Sequence, residues 1–328
     1  MKRINRKVWL AKGLLMVSLT ACSNGASMTA QQPEAVKVEP FPEESPYTPS
    51  PRVPASIKIW GKDLSLDRTD LYERLDRELT ACTYTHGMTL LTLKRANRYF
   101  PEIAPILEKN GIPKDMLYLA VIESNLDNRA VSPANAAGIW QFMASTAKQY
   151  GLEVNDFVDE RYNLEKATQA ACKYFKEAYA KFGDWNSVAA AYNGGIARIG
   201  NETASQKENS ALDLYLVTET SRYPFRIMAM KLIMENPSQY GFLLTPDQLY
   251  QPMEYDSFNV NTPVEDWVGW AKEHGISYAQ LREANPWIRA KSLPNKSGKN
   301  YKVLVPKKSS LYRSTQGVKV YNPEWISE

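Results

Sequence analysis

Seven consecutive residues, Met116-Leu117-Tyr118-Leu119-Ala120-Val121-Ile122, carry no charge, and Glu123 follows them directly. A helix with no polar face has to be buried all round. Pro113 suits a first helical turn and Asp115 favours the positive end of a helix, so the stretch reads as a buried helix. A buried strand is the competing reading. Glu123 then closes a dry element, and its helical neighbours Leu119, Ala120, Leu126 and Asp127 include no cation. A carboxyl in such a place keeps its proton near neutral pH and can donate it. The alternative is a glutamate that reaches solvent at a frayed helix end.

The 328 residues are enough for two or three domains, and a net charge of +4 is too mild to argue for nucleic acid. Two histidines and three cysteines give poor support to a zinc site or a Ser-His-Asp triad. Neither GxGxxG nor a P-loop occurs, so no cofactor is expected. Residues 1–21 combine Lys2, Arg3, Arg6, Lys7 and Lys12 with an apolar run from Leu14 to Leu19 that is too short to span a bilayer. They read as a signal peptide ending Leu19-Thr20-Ala21-Cys22, which resembles a lipobox. Cys22 is the expected lipidation site, holding the protein to a membrane by acyl chains. Ser23, in a Gram-negative lipoprotein, implies export to the outer membrane. Residues 22–56 are rich in Pro, Ser, Glu and Thr and are expected to form a mobile tether.

From 57 to 112 the pattern is helical, with Leu64, Leu66, Leu71, Leu75 and Leu79 followed by Leu90, Leu91 and Leu93. Asp63, Asp67, Asp70 and Asp76 read as caps and solvated faces rather than a metal cluster, and no metal site is expected. A loop is expected from Asn128 to Ala137, and Gly138-Ile139-Trp140-Gln141-Phe142-Met143 is expected to open a helix. Trp140 suits either core or ligand contact. Residues 163–182 form an amphipathic helix with Leu164, Ala167, Ala171, Tyr174, Phe175 and Tyr179 inward. A second helix begins after Gly183-Asp184-Trp185, runs through Val188 to Asn193, ends at Gly194-Gly195 and presents Tyr192 and Asn193 at its terminus. Cys82 and Cys172 could form a disulfide in an exported protein or remain buried thiols.

Three blocks, Glu123-Ser124, Gly138–Met143 and Ala191-Tyr192-Asn193-Gly194-Gly195, resemble in order and spacing the signatures of soluble-lytic-transglycosylase-like (SLT) domains. Thr218-Glu219-Thr220-Ser221-Arg222-Tyr223 resembles the E-T-x-x-Y block of the membrane-bound murein transglycosylase D type. The family often has Leu-Met where Ile139-Trp140 stand here. The resemblance implies a mainly α protein. Its lysozyme-like all-α catalytic domain would span 105–205, flanked by helical regions at 57–104 and 206–249. It implies cleavage of the β-1,4 bond between N-acetylmuramic acid and N-acetylglucosamine in peptidoglycan glycan strands, without water, leaving a 1,6-anhydro end. Glu123 would be the catalytic acid and then base. Ser124, Gln141, Tyr192, Asn193 and Glu219 would surround the sugar.

Most glycosidases need a second carboxylate. The nearest here is Asp127, a position the family fills with Asn or Asp. The N-acetyl carbonyl of the substrate can support the cation at C1 instead, as in substrate-assisted hydrolases.

Helix is expected to continue through 206–245. Residues 250–306 then read as strand, helix, helix, strand, and this small β-α-α-β module resembles a degenerate LysM domain. Asn261-Thr262-Pro263 replaces the usual Gly-Asp-Ser/Thr entry. Glycan binding and a purely structural role both remain open for it. The tail 307–328 carries no signal. Two other readings stand beside this one: a goose-type lysozyme hydrolase, and a non-catalytic cell-wall lipoprotein.

Overall fold

The computed structural model describes residues 49–313 and 317–326, so the expected signal peptide, Cys22 and most of the tether lie outside it. Ten α-helices and two small antiparallel sheets are found among the described residues. None of these helices is long and apolar enough to cross a membrane.

The first element corrects the helical expectation for 57 onward. β1 (Ser56–Ile59) and β2 (Lys62–Ser65) form a hairpin in register Ile57↔Leu64 and Ile59↔Lys62. Ile57 and Ile59 alternate with exposed Ser56 and Lys58, a period-2 signal too short to stand out beside the leucines that follow. Trp60 and Gly61 turn the chain at φ of 54° and 75°. α1 (Thr69–Tyr84) and α2 (His86–Lys109) then supply the expected helices.

The seven-residue apolar run is helical: a 3-10 turn, Lys114–Met116, leads into α3 (Leu117–Ser124). Leu117 through Val121 are all buried. The helix stops because Asn125 and Leu126 both take left-handed backbone, at φ of 50° and 56°. The 138–143 stretch does not open a helix. Its Ala137 and Phe142 pair across a tight turn, and α4 (Ala144–Gln149) starts only after Met143. Positive φ at Gly138 and Gln141 excludes helix there.

α5 (Leu164–Phe182) is capped by Asn163 and stopped by Gly183 at φ 63°, and α6 (Trp185–Gly194) is capped by Asp184. Tyr179 departs from the inward set. It is exposed and stacks on Trp185 at 4.4 Å. α7 (Ile196–Gln206) ends at Lys207, and a loop separates it from α8 (Thr218–Glu235), so the expected continuous helix is broken at 207–217.

α8 is the keel. It packs against α1, α3 and α6. Buried Glu78 on α1 accepts from Arg222 on α8 at 2.8 and 3.1 Å. Buried Lys231 bridges Asp115, 2.8 Å away, and Glu235, 2.5 Å away. Cys82 and Cys172 are unpaired, and burial pushes each thiol up to about 11.

β3 (Tyr255–Val260), α9 (Trp267–Glu273), α10 (Tyr278–Ala284) and β4 (Tyr301–Pro306) make the β-α-α-β module, with Val260 opposite Tyr301. Its core of Val260, Trp267, Leu281, Ile288 and Val303 also contains Ala137, Val158 and Tyr162 from the larger lobe. Asp159 N–H donates to Trp287 O at 2.9 Å, and Lys299 pairs with Glu153 and Glu160 at 2.5 and 3.0 Å. The tail also returns to the body, with Trp325 buried and its indole N–H donating to Met234 O at 2.5 Å.

Candidate active site

Each signature block ends on a structural event, and hydrogen bonds gather the blocks around Glu123. The turn after Gly138 is the hub. Ser124 Oγ, buried, donates to Ile139 O at 2.9 Å. The Tyr192 hydroxyl donates to the next carbonyl, Trp140 O, at 2.6 Å. The Gln141 amide folds back to Gly138 O at 2.8 Å and Ala130 O at 3.2 Å. Three successive carbonyls are thereby fixed by three side chains from different parts of the chain.

Only glycine fits at 138. Its φ is 77°, and an added Cβ would stand 2.0 Å from Arg161 O. Arg161 is itself buried, paired with Asp159 at 2.8 Å, and donates to Asn135 O and Phe142 O at 2.8 and 3.1 Å. The turn is therefore clamped from both sides. Trp140 is core, fully buried with its N–H on Thr168 Oγ1 at 2.9 Å. Gln141 is held at φ 50°, a strained conformation for a non-glycine residue.

Glu123 sits part-buried at the end of α3. It is not without a partner, contrary to what its sequence neighbours alone suggest. The Tyr223 hydroxyl, reaching from α8, donates to Glu123 Oε1. Desolvation dominates and pushes the carboxyl from an ordinary 4.5 up to about 7. The Tyr223 hydrogen bond opposes that rise, nearby Glu219 adds to it, and Arg226 opposes it. Burial, with the Glu123 charge behind it, holds the Tyr192 and Tyr223 hydroxyls well above the ordinary tyrosine value. Both phenols stay protonated donors.

The neighbouring carboxylates are engaged elsewhere. Asp127 pairs with Arg95 at 3.0 Å and accepts from Arg129 N–H at 2.9 Å. Glu219 is exposed and pairs with Arg226 at 2.5 Å. Asn193 is exposed at the end of α6, its Oδ1 accepting from Thr220 Oγ1 at 2.8 Å.

Glu123, Gln141, Tyr192, Asn193 and Glu219 thus belong to one region, while the Ser124 hydroxyl points into the protein to hold the turn. Tyr223 is the residue that reading for individual side chains missed. Its signal was present in the Thr218–Tyr223 block, five residues after Thr218 on the same helix. The arrangement can supply one neutral carboxylic acid, backed by a phenol that steadies the carboxylate once the proton has gone. Among the described residues no group of His, Cys, Asp and Glu could hold a metal ion.

Residues 102–214 match the family model described as the transglycosylase SLT domain. Residues 256–309 match that of the soluble lytic transglycosylase C-terminal LysM-like domain. The chain is 33% identical over 241 residues to membrane-bound lytic murein transglycosylase D of Escherichia coli K12, covering 72% of this chain and 51% of that protein. It is 40% identical over 97 residues to peptidoglycan transglycosylase gp16 of Escherichia phage T7, covering 29% of this chain and 7% of the phage protein. The chain therefore spans about half the length of the first of these relatives and a small part of the second. Among solved structures, the 70 kDa soluble lytic transglycosylase of Escherichia coli aligns with TM-score 0.37 and 17% identity, over 52% of this chain and 31% of that one.

Proposed function

We propose that this chain, which carries a transglycosylase SLT domain and a LysM-like domain, is a peptidoglycan lytic transglycosylase. It cleaves the β-1,4 bond between N-acetylmuramic acid and N-acetylglucosamine and leaves a 1,6-anhydro end. The observation that carries this reading is the state of Glu123: a desolvated carboxyl raised to about 7, bonded to Tyr223, with Asp127 and Glu219 each committed to an arginine. Among the described residues Glu123 is the desolvated acid of this region, and the two carboxylates named beside it, Asp127 and Glu219, are both held in ion pairs.

Glu123, protonated, gives its proton to the leaving glycosidic oxygen as the C1–O bond breaks. The muramic acid N-acetyl carbonyl supports the positive charge at C1. Glu123, now ionised and held by the Tyr223 hydroxyl, takes the proton of the C6 hydroxyl, whose oxygen bonds to C1. The acid is restored in the same turnover. Intramolecular attack outruns water because effective molarities of well-held groups reach on the order of 10⁵ M. Gln141, Tyr192, Asn193 and Glu219 position the sugar, and Ser124 positions the turn that bears Gln141. Cys22, within its lipobox, anchors the enzyme to the envelope, in the outer membrane facing the periplasm, with residues 22–56 as its tether.

The test is product analysis. Purified peptidoglycan digested with the protein should release anhydromuropeptides, read by mass spectrometry. Products with reducing ends alone would make the protein a lysozyme-type hydrolase, and no products at all would remove the assignment.

A further inference from the structure

Glu78 is a buried carboxylate that the chemistry at Glu123 does not use. It sits on α1 and is 1% exposed. Its two oxygens collect three arginines. Arg77 Nε donates to Oε1 at 2.8 Å, Arg222 donates to both oxygens at 2.8 and 3.1 Å, and Arg226 Nε stands 3.4 Å from Oε2. Burial works against the Glu78 ion, but the bonds from Arg222 and Arg77 hold its carboxyl below the ordinary glutamate value. Cys82, one turn further along α1, also faces this cluster, and its thiol, pushed up to about 11 by burial, stays neutral. To join α1 to α8, the doubly bonded Arg222 would suffice. The approach of Arg226 calls for another account.

Arg226 is the member of the cluster that reaches toward the active site. Glu219, Tyr223 and Arg226 follow one another about a turn apart on α8, so they lie along one stripe of that helix. Tyr223, in the middle, donates to Glu123 Oε1. Arg226 Nη1 and Nη2 hold Glu219 at 2.5 and 3.2 Å, while its Nε leans on Glu78. The charged and titratable groups that face Glu123 are Glu219, Tyr223 and Arg226 from α8 and Tyr192 from α6. Arg226 is the cation among these described residues. A cation brought within about 4 to 6 Å of a carboxyl lowers its pKa by about 1 to 3, enough to strip the proton from Glu123 at neutral pH. The pair with Glu219 is a weak restraint on Arg226, since the Glu219 side chain is 58% exposed. Glu78, in the dry interior, pulls harder on the same guanidinium.

We propose that Glu78 is a positioning residue for the reaction at Glu123: together with Glu219 it detains the Arg226 guanidinium, so that no ion pair forms on the acid. The inference rests on the reading of Glu123 as the proton donor. At its present remove Arg226 tempers the acid; in contact it would disarm it. The same anchorage holds the turn of α8 that carries Tyr223, through Arg222 beside it in the chain.

The experiment measures the pH–rate profile of anhydromuropeptide release by the full chain. Glu78→Gln keeps the shape of the side chain and removes its charge, leaving Glu219 as the carboxylate that faces the three arginines. The alkaline limb, near pH 7 in the parent, should move down by about one pH unit. Turnover then falls about fivefold at pH 7 and less than about twofold at pH 5. Adding Arg226→Gln removes the cation and should return the limb to within about 0.3 pH unit of the parent. Glu78→Gln with Arg222→Gln sets two amides in place of the buried ion pair and should shift the limb as Glu78→Gln does, which covers the case in which the single variant does not fold. A second readout needs no turnover. Glu123→Gln should raise the melting temperature of the parent at pH 8, and that rise should shrink by about 40% in the Glu78→Gln background. The gap between folded and unfolded titration of Glu123 narrows there from about 2.5 pH units to about 1.5.

An unmoved limb in Glu78→Gln, with turnover lowered equally at pH 5 and pH 7, makes Glu78 a structural tie and overturns the proposal. A lowered limb that Arg226→Gln does not restore overturns it as well. If the parent releases no anhydro product at all, the Glu123 reading fails. The melting comparison still decides whether Glu78 keeps Arg226 from that carboxyl, and an undiminished rise at pH 8 would show that it does not.

Discussion

Replacing Glu123 by Gln tests the burial argument and the chemistry together. The substitution preserves shape and leaves an oxygen to accept from Tyr223. What it removes is the ionisable proton. In wild type the folded carboxyl titrates near 7 and the unfolded one near 4.5. The folded state therefore holds its proton more tightly, and stability is lost as pH rises through that window. At about 1.4 kcal/mol per pH unit, the loss reaches about 3 kcal/mol by pH 8 and vanishes below about pH 4. Glutamine carries no such cost, so Glu123→Gln should be more stable than wild type at pH 8 by about 3 kcal/mol, a melting increase of roughly 5 to 10 °C. At about pH 4 the two proteins should melt together. Turnover on peptidoglycan should fall by about 10³-fold or more, since one group serves both proton transfers. Thermal melts at the two pH values and anhydromuropeptide release are the readouts. Equal melting temperatures at pH 8 would mean that the carboxyl is solvated, and normal turnover would mean that it is not the acid.

Four further substitutions probe the surroundings. Tyr223→Phe deletes the donor that holds the Glu123 pKa down, so the alkaline limb of the pH–rate profile should move upward from about 7 while the maximal rate falls about tenfold. Movement of that limb to lower pH would refute the role. Asp127→Asn should keep most activity, because Asp127 already serves Arg95 and the loop backbone; loss of about 10³-fold would make it a second catalytic carboxylate. Gly138→Ala drives a Cβ to 2.0 Å from Arg161 O at a φ of 77°. It should cost about 3 kcal/mol or more in chemical denaturation, and activity should fall with it. Ser124→Ala leaves Ile139 O without its donor and should cost about 1 to 3 kcal/mol, measured the same way; a neutral result would show that the hydroxyl does not hold the turn.

The parts of this molecule that sequence reveals are those set by local rules. An unbroken apolar run must be interior, and Leu117–Val121 are. Asp184 and Asn163 cap the helices they precede, and Gly183 stops one. The order strand, helix, helix, strand was readable from 258 onward because each piece has its own period. The failures share a different cause. Residues 138–142 have helix-compatible composition, but their backbone is decided by a carbonyl of Arg161, which presses on Gly138 from another part of the chain. The residues three and four away from Glu123, Leu119, Ala120, Leu126 and Asp127, offer it no cation and no side-chain donor. Its partner arrives from position 223, on a helix whose place depends on Glu78 and Arg222. A contact between residues 100 apart leaves no local trace. The tail was illegible for the same reason, since Trp325 finds its cover on Met234.

The distant partner of Glu123 also bears on the reaction. A carboxyl raised by burial alone stays protonated but gives its proton up reluctantly, since the ion it leaves behind has lost its water. The cycle needs that ion to persist long enough to collect a second proton. Tyr223 answers the difficulty, because its bond to Oε1 strengthens when the carboxyl ionises. Arg226, opposing the Glu123 shift from further away, acts in the same direction, while Glu219 offsets it. The site balances two demands on one group, which a pair of carboxylates would divide between them. It follows that Tyr223→Phe should impair the first proton transfer, from Glu123 to the leaving oxygen, more than the second, because the unsupported carboxylate is the stronger base. On this view the variant cleaves a substrate with an activated leaving group, which needs little proton donation, at nearly the wild-type rate, and shows its deficit on the natural glycan, whose leaving oxygen has to be protonated. Equal slowing with activated and natural leaving groups would place Tyr223 outside the proton cycle.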